Sequence, residues 1–200
     1  MRQHYIVFLI ILSGLFNCEK VSGSDLKLPS IIGDHMVLQQ NSTANIWGWA
    51  APGEKVEVTT GWDGKRYKMN ADGQGNWLVE VNTAAAGGPF EIRIEADVTK
   101  VLENVMLGEV WVCSGQSNME WPLRRAESAP SEIPAANHPD IRLFQVEKYI
   151  ASRPKDDVAG AWSVCSPSTA AGFSAVGYFF GKYLNESLDV PVGLINTSWG

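Results

Sequence analysis

Histidine and cysteine are both scarce in this chain, three of each in 200 residues. So few cysteines cannot build the bridge-dense framework of a small secreted scaffold. So few histidines narrow the catalytic chemistry that is open to it. Basic charge is short as well: 16 Lys and Arg face 22 Asp and Glu, a formal charge of −6, and no basic run exceeds the pairs Lys65-Arg66 and Arg124-Arg125. Without a basic excess to neutralise phosphates, nucleic acid is excluded as a partner. Long apolar runs are absent too. The longest, Tyr5 to Phe16, is too short to span a bilayer comfortably.

What is present is the composition of an ordinary globular protein, 45% hydrophobic and 19% charged. The amino terminus stands apart. Arg2, the apolar run and the small residues Val21-Ser22-Gly23 read as a secretory signal peptide over 1–23, cleaved after Gly23. The expected location is therefore secreted, periplasmic or lysosomal, with no transmembrane span once the signal is removed. A lipoprotein anchor at Cys18 is a second reading. The rest of the chain keeps two cysteines, Cys113 and Cys165, and two histidines, His35 and His138.

Residues 24–107 read as strands. Val56 and Val58 alternate with charged neighbours, as do Tyr67 and Met69, then Trp77, Val79 and Val81, then Phe90, Ile92 and Ile94. This two-residue period marks half-buried antiparallel strands. Pro52-Gly53, Asp63-Gly64, Asp72-Gly73 and Gly87-Gly88-Pro89 punctuate the runs as turns. A small β-sandwich is the expected result. Asp72–Asn76 lacks the acidic spacing of a calcium loop and reads as a hairpin turn.

The pattern changes after residue 105. Val105–Cys113 is almost continuously apolar, as in a strand covered on both faces of a parallel sheet. Phe173, Val176, Phe180 and Leu184 recur at helical spacing until Asp189-Val190-Pro191, and Val192–Ile195 is a second buried strand. Strand, helix, strand predicts α/β architecture over 108–200. The stretch 120–140 reads as loop with short helical turns.

Ligands of open α/β sheets bind beyond the carboxyl ends of the strands. Ser114-Gly115-Gln116-Ser117-Asn118-Met119 leaves the first strand there, and Asn196-Thr197-Ser198-Trp199-Gly200 leaves the second. Gly115 permits a sharp turn that would lift the Ser117 hydroxyl out of the sheet. The Ser117 N–H would then face a developing oxyanion, with Asn118 beside it. Met119 stands where a G-x-S-x-G elbow has glycine, so that motif is not met.

Gly108–Leu123 closely resembles the nucleophile block of the sialate O-acetylesterase family of SGNH hydrolases. Ile32–Gln39, Ile46–Trp49 and Pro52–Glu54 resemble that family's amino-terminal sandwich. Phe173–Gly181 and Pro191–Gly200 resemble its next helix and strand. The resemblance implies a β-sandwich followed by the first part of an SGNH-type, flavodoxin-like hydrolase domain. It implies a cofactor-free and metal-free esterase that takes acetyl groups from an acetylated carbohydrate, with Ser117 as nucleophile and Gly200 beside it in the oxyanion hole. Gln116, Asn118, Trp121 and Trp199 would line the substrate pocket.

The family's base is a histidine in an Asp-x-x-His block, which this sequence lacks; a further oxyanion Asn is also missing. The expectation is an incomplete enzyme. His138 reads as a solvated loop residue and His35 as a structural one. A pairing of Cys113 with Cys165 is left open. Three sequons, at Asn41, Asn185 and Asn196, matter only in a eukaryotic secretory pathway. Trp47, Trp49, Trp62 and Trp77 read as packing of the small β domain, with sugar stacking as the alternative. Arg124-Arg125 reads as a solvated pair, with a sugar carboxylate as the alternative partner.

Overall fold

The computed structural model describes residues 26–200; the segment 1–23 expected to be a signal peptide, with Cys18, lies outside the described residues. Seven strands come first: β1 (Val37–Gln39), β2 (Thr43–Trp49), β3 (Lys55–Thr60), β4 (Arg66–Asn70), β5 (Asn76–Asn82), β6 (Gly87–Glu95) and β7 (Thr99–Cys113). Their two-residue period decides what is inside. Val56, Val58, Trp77, Val81, Ile92 and Ile94 are buried, and their sequence neighbours face out. β2 and β5 pair antiparallel as a sheet of their own, while β4-β3-β6-β7 run antiparallel in a second. Ile46, Trp77 and Val81 of the first share a core with Val56, Val58, Ile92 and Ile94 of the second.

Asp72–Asn76 joins strands of different sheets, so it is a crossing turn rather than a hairpin within one sheet. The Asp72 carboxylate holds it, accepting from the N–H groups of Gln74 at 2.8 Å and Asn76 at 2.9 Å. Gly75 sits at φ +86°, where a side chain would be strained.

Strand β7 does not stop at residue 107. It exchanges an antiparallel partner for a parallel one, pairing with β6 up to Leu107 and with β10 (Val192–Asn196) from Glu109. The expected division at 107/108 therefore falls inside one strand. Gly108 marks the exchange, because a side chain there would collide with the Pro191 carbonyl. One eight-stranded sheet results, in which β10 also pairs parallel with β8 (His138–Gln145), and β8 antiparallel with β9 (Trp162–Cys165). The first core reaches across the exchange as well, since Phe144 and Trp162 belong to it.

Two sequence expectations change in this half, and a third holds. The carboxyl end of β7 is not covered on both faces: Trp111 is 44% and Val112 63% exposed. The stretch 120–140 is loop with short helical turns as expected, from the end of helix α1 (Ser117–Glu120) through a 3-10 turn at Leu123–Arg125 to helix α2 (Ala129–Ala135), and it ends in the start of β8. After α3 (Pro167–Ala170), helix α4 (Ala175–Leu188) buries Ala175, Gly177, Tyr178 and Gly181; of the expected stripe, Phe173 is buried and Leu184 packs against the core, but Val176 and Phe180 lie exposed. The reason is close approach. A Cβ on Gly181 would stand 2.5 Å from Leu194 Cδ1, and one on Gly177 3.0 Å from Cys113 Sγ. The helix backbone rests on the sheet at these glycines, Tyr178 fills the core beside them, and Phe180 turns outward to stack edge-on against Trp111 at 5.1 Å. The Ser174 hydroxyl caps it by accepting the Gly177 N–H at 3.0 Å.

Candidate active site

Ser117 opens helix α1 just beyond the end of β7. The turn between them needs Gly115, which sits at φ +139°. Ser117 is exposed, and as the first helical residue its N–H has no intrahelical acceptor. The segment after β10 runs alongside: Thr197 N–H donates to the Cys113 carbonyl and Trp199 N–H to the Gly115 carbonyl, both at 2.9 Å. This pairing brings Gly200 against Ser117, so closely that a Cβ on Gly200 would lie 2.7 Å from Ser117 Oγ. Below them, buried Asn196 accepts from Ser198 Oγ at 2.7 Å and donates to Gln145 Oε1 at 2.9 Å. That bond also occupies the amide nitrogen of the Asn196 sequon.

These segments surround a cleft of about 420 Å³ that contains Ser117 and Gly200. Trp121, Arg124 and Arg125 wall one side, and Gln145 and Lys148 another. Trp121 thus lies where expected. Trp199 is 47% exposed and stands under Lys148 Nζ at 5.7 Å without lining the cleft itself. Gln116 and Asn118 are exposed and do not line it.

Glu120, three residues after Ser117 in α1, had drawn no role from the sequence, yet it ties the cleft together. One carboxylate oxygen pairs with Lys148 Nζ and the other accepts the Gly200 N–H at 2.7 Å. The Lys148 hydrogen bond, then the Gly200 bond, hold the Glu120 carboxyl below the usual glutamate range. The Gly200 N–H, expected to face an oxyanion, is therefore aimed at Glu120 in this arrangement. Helical spacing carried half the signal, because positions i and i+3 share a face. The contact with Gly200, 80 residues away, had none.

The cleft is otherwise cationic. Neither Arg124 nor Arg125 has an ion pair among the described residues, and Arg125 stands 5.7 Å over the Trp121 ring. The histidines are engaged elsewhere. His35 Nδ1 lies 3.4 Å from Nη1 of Arg142, a buried guanidinium that also donates to Asn104 Oδ1 at 3.0 Å. His138 is not on a loop. It begins β8, at the opposite end from Gln145, and its Nε2 lies 3.2 Å from the Tyr178 hydroxyl. That hydroxyl gives its own proton to Glu132, which Lys182 also holds. Cys113 and Cys165 are buried and unpaired.

The fold is a mixed sheet with few helices, and it carries an exposed serine just beyond the carboxyl end of a central strand. No protein-family profile matches the chain. It is 32% identical to mouse sialate O-acetylesterase, over 97% of this chain and 39% of that protein. It is 30% identical to the human sialate O-acetylesterase, over 98% of this chain and 41% of that one. The crystal structure of a carbohydrate acetylesterase from Xanthomonas citri superposes with a TM-score of 0.84 at 39% identity, covering 88% of this chain and 40% of that chain. The chain is thus a relative of the sialate O-acetylesterases, and it spans about two fifths of their length.

Proposed function

We propose that this chain is the nucleophile-bearing part of a carbohydrate O-acetylesterase. In this reading, residues 24–107 form its β-sandwich and residues 108–200 the first part of its SGNH-type hydrolase domain. Secretion through the segment 1–23 belongs to the same reading. The observation that carries it is the placement of Ser117, exposed in a sugar-sized cleft beside an indole, in a chain whose relatives are acetylesterases.

Ser117 Oγ attacks the acetyl carbonyl as its proton passes to a base. The C–O bond to the sugar breaks, the sugar oxygen takes the proton, and water then releases acetate from the acetyl-serine. The Ser117 N–H, free at the head of α1, serves the oxyanion. The family resemblance assigns the base to a histidine in an Asp-x-x-His block, and neither described histidine lines the cleft. Arg124 and Arg125, without acidic partners, favour the sialate type of substrate over a neutral acetylated polysaccharide, because a sugar carboxylate would complete them. The test compares 9-O-acetyl sialic acid with acetylated xylan, using a polypeptide that joins this sequence to the region matching the rest of its relatives. Acetate release should favour the sialate and fall at least about tenfold for Arg124→Ala with Arg125→Ala. Equal use of xylan by both proteins would refute the sialate assignment while leaving the esterase reading intact.

A further inference from the structure

The four tryptophans of the first layers part company in the structure. Trp77 is core, 3% exposed, and Trp62 packs edge-on against Phe90 while donating its indole N–H to the Asn82 carbonyl at 2.9 Å. Trp47 and Trp49 are different. They occupy alternate positions of β2, opposite to buried Ile46 and Gly48, and so lie half-buried on the outer face of the β2–β5 sheet, Trp47 also packing against the first core. Their cross-strand partners are Leu78, 56% exposed, and Asn76. The outer face of such a sheet is normally polar, and the far end of this one is, with Asn45 opposite Glu80. At the near end, two indoles and a leucine form an apolar floor. The indoles, two residues apart on one strand, stand roughly 7 Å from each other along it.

This floor lies in a groove of about 360 Å³ whose rim carries Asp72, Asn76 and Asp156. No Lys or Arg lines it. The Asp72 oxygens are largely taken up by the crossing turn, whereas Asp156 has no hydrogen bond or ion pair with any described residue. Asp156 belongs to the segment after β8, whose earlier residue Lys148 closes the serine cleft. One segment therefore borders both grooves.

We propose that the outer face of β2–β5 is a second carbohydrate site, one that takes a neutral stretch of glycan while the serine cleft holds the acetylated residue. Flat indole and leucine surfaces suit the C–H faces of pyranose rings, and the carboxylates and amide at the rim suit hydroxyl groups. Two carboxylates with no cation repel anionic sugars, so this groove and the arginine-lined cleft select opposite charges. The choice of a glycan rests on the esterase reading above, but its binding requires no hydrolysis, so the two fail separately.

The test titrates the whole chain with xylohexaose, cellohexaose and mannohexaose, following the indole N–H signals of Trp47 and Trp49 by NMR. At least one hexaose should shift these two signals saturably, with little dependence on salt, and sialyllactose should not. Leu78→Glu, at an exposed position that leaves folding intact, should weaken that binding about tenfold. Asp156→Ala should weaken it too, through loss of a hydroxyl partner. The proposal is overturned if none of the three shifts these signals, if Leu78→Glu binds as the parent does, or if a lysine-rich peptide occupies the groove in their place.

Discussion

A single carboxylate, Glu120, links three segments around Ser117. It reaches the segment after β10 through the Gly200 N–H and the segment after β8 through Lys148. Its lowered pKa sets the sign of the pH effect. The links are in place while Glu120 is ionised, above the ordinary glutamate range and for some distance below it, and are lost as pH falls through the lowered folded value. The Gly200 amide proton shift, followed by NMR on acidification, should therefore stay constant through the ordinary glutamate range and move only below it. In Glu120→Gln it should show no such transition. The two buried cysteines give a second residue-scale expectation. Burial raises the Cys113 thiol and pushes Cys165 up to about 11, so little thiolate exists near neutrality. Alkylation at pH 8, mapped by mass spectrometry, should spare both positions in the folded chain and modify both in denaturant. Ready modification of the folded chain would contradict their burial.

At the scale of elements, helix α4 shows where sequence reading ran out. Its existence was legible from a 3.6-residue recurrence of large apolar side chains, and its end from Asp189-Val190-Pro191. Its orientation was not. The hydrophobic pattern points to Phe173, Val176, Phe180 and Leu184 as the buried stripe; Phe173 and Leu184 do pack inward, but two glycines let the backbone sit on Leu194 and Cys113, and that close packing turns Val176 and Phe180 outward. Gly181→Ala tests this directly. Ala gains about 1 kcal/mol of helix propensity over Gly. The new Cβ meets the fully buried Leu194 side chain at 2.5 Å, at an overpacking cost of about 1–3 kcal/mol. Denaturant unfolding should show net destabilisation. A stabilised Gly181→Ala would mean that α4 does not rest on the sheet as described.

Across the whole molecule, β7 is the decisive element. The alternation of residues 55–94 made each early strand readable, because a half-buried strand records its two faces in its sequence. The joining of one sandwich layer and the α/β half into one sheet left no such record. It depends on Gly108 meeting Pro191, and on Phe144 and Trp162 entering the first core from far along the chain. The turn that carries Ser117 was legible for a related reason: a glycine-bearing turn after a largely apolar strand is a local feature. The rest of the cleft, from Lys148 and Gln145 to the Glu120–Gly200 contact, is assembled by tertiary pairing. The most direct measurement of the central claim is acetate release from an O-acetylated sugar by a polypeptide that joins this sequence to the region matching the rest of its relatives, compared with the same polypeptide carrying Ser117→Ala. Loss of an activated nucleophile should lower the rate by about 10⁴-fold or more and abolish the acetyl group trapped on the peptide containing residue 117. Equal rates from the two polypeptides would contradict the account.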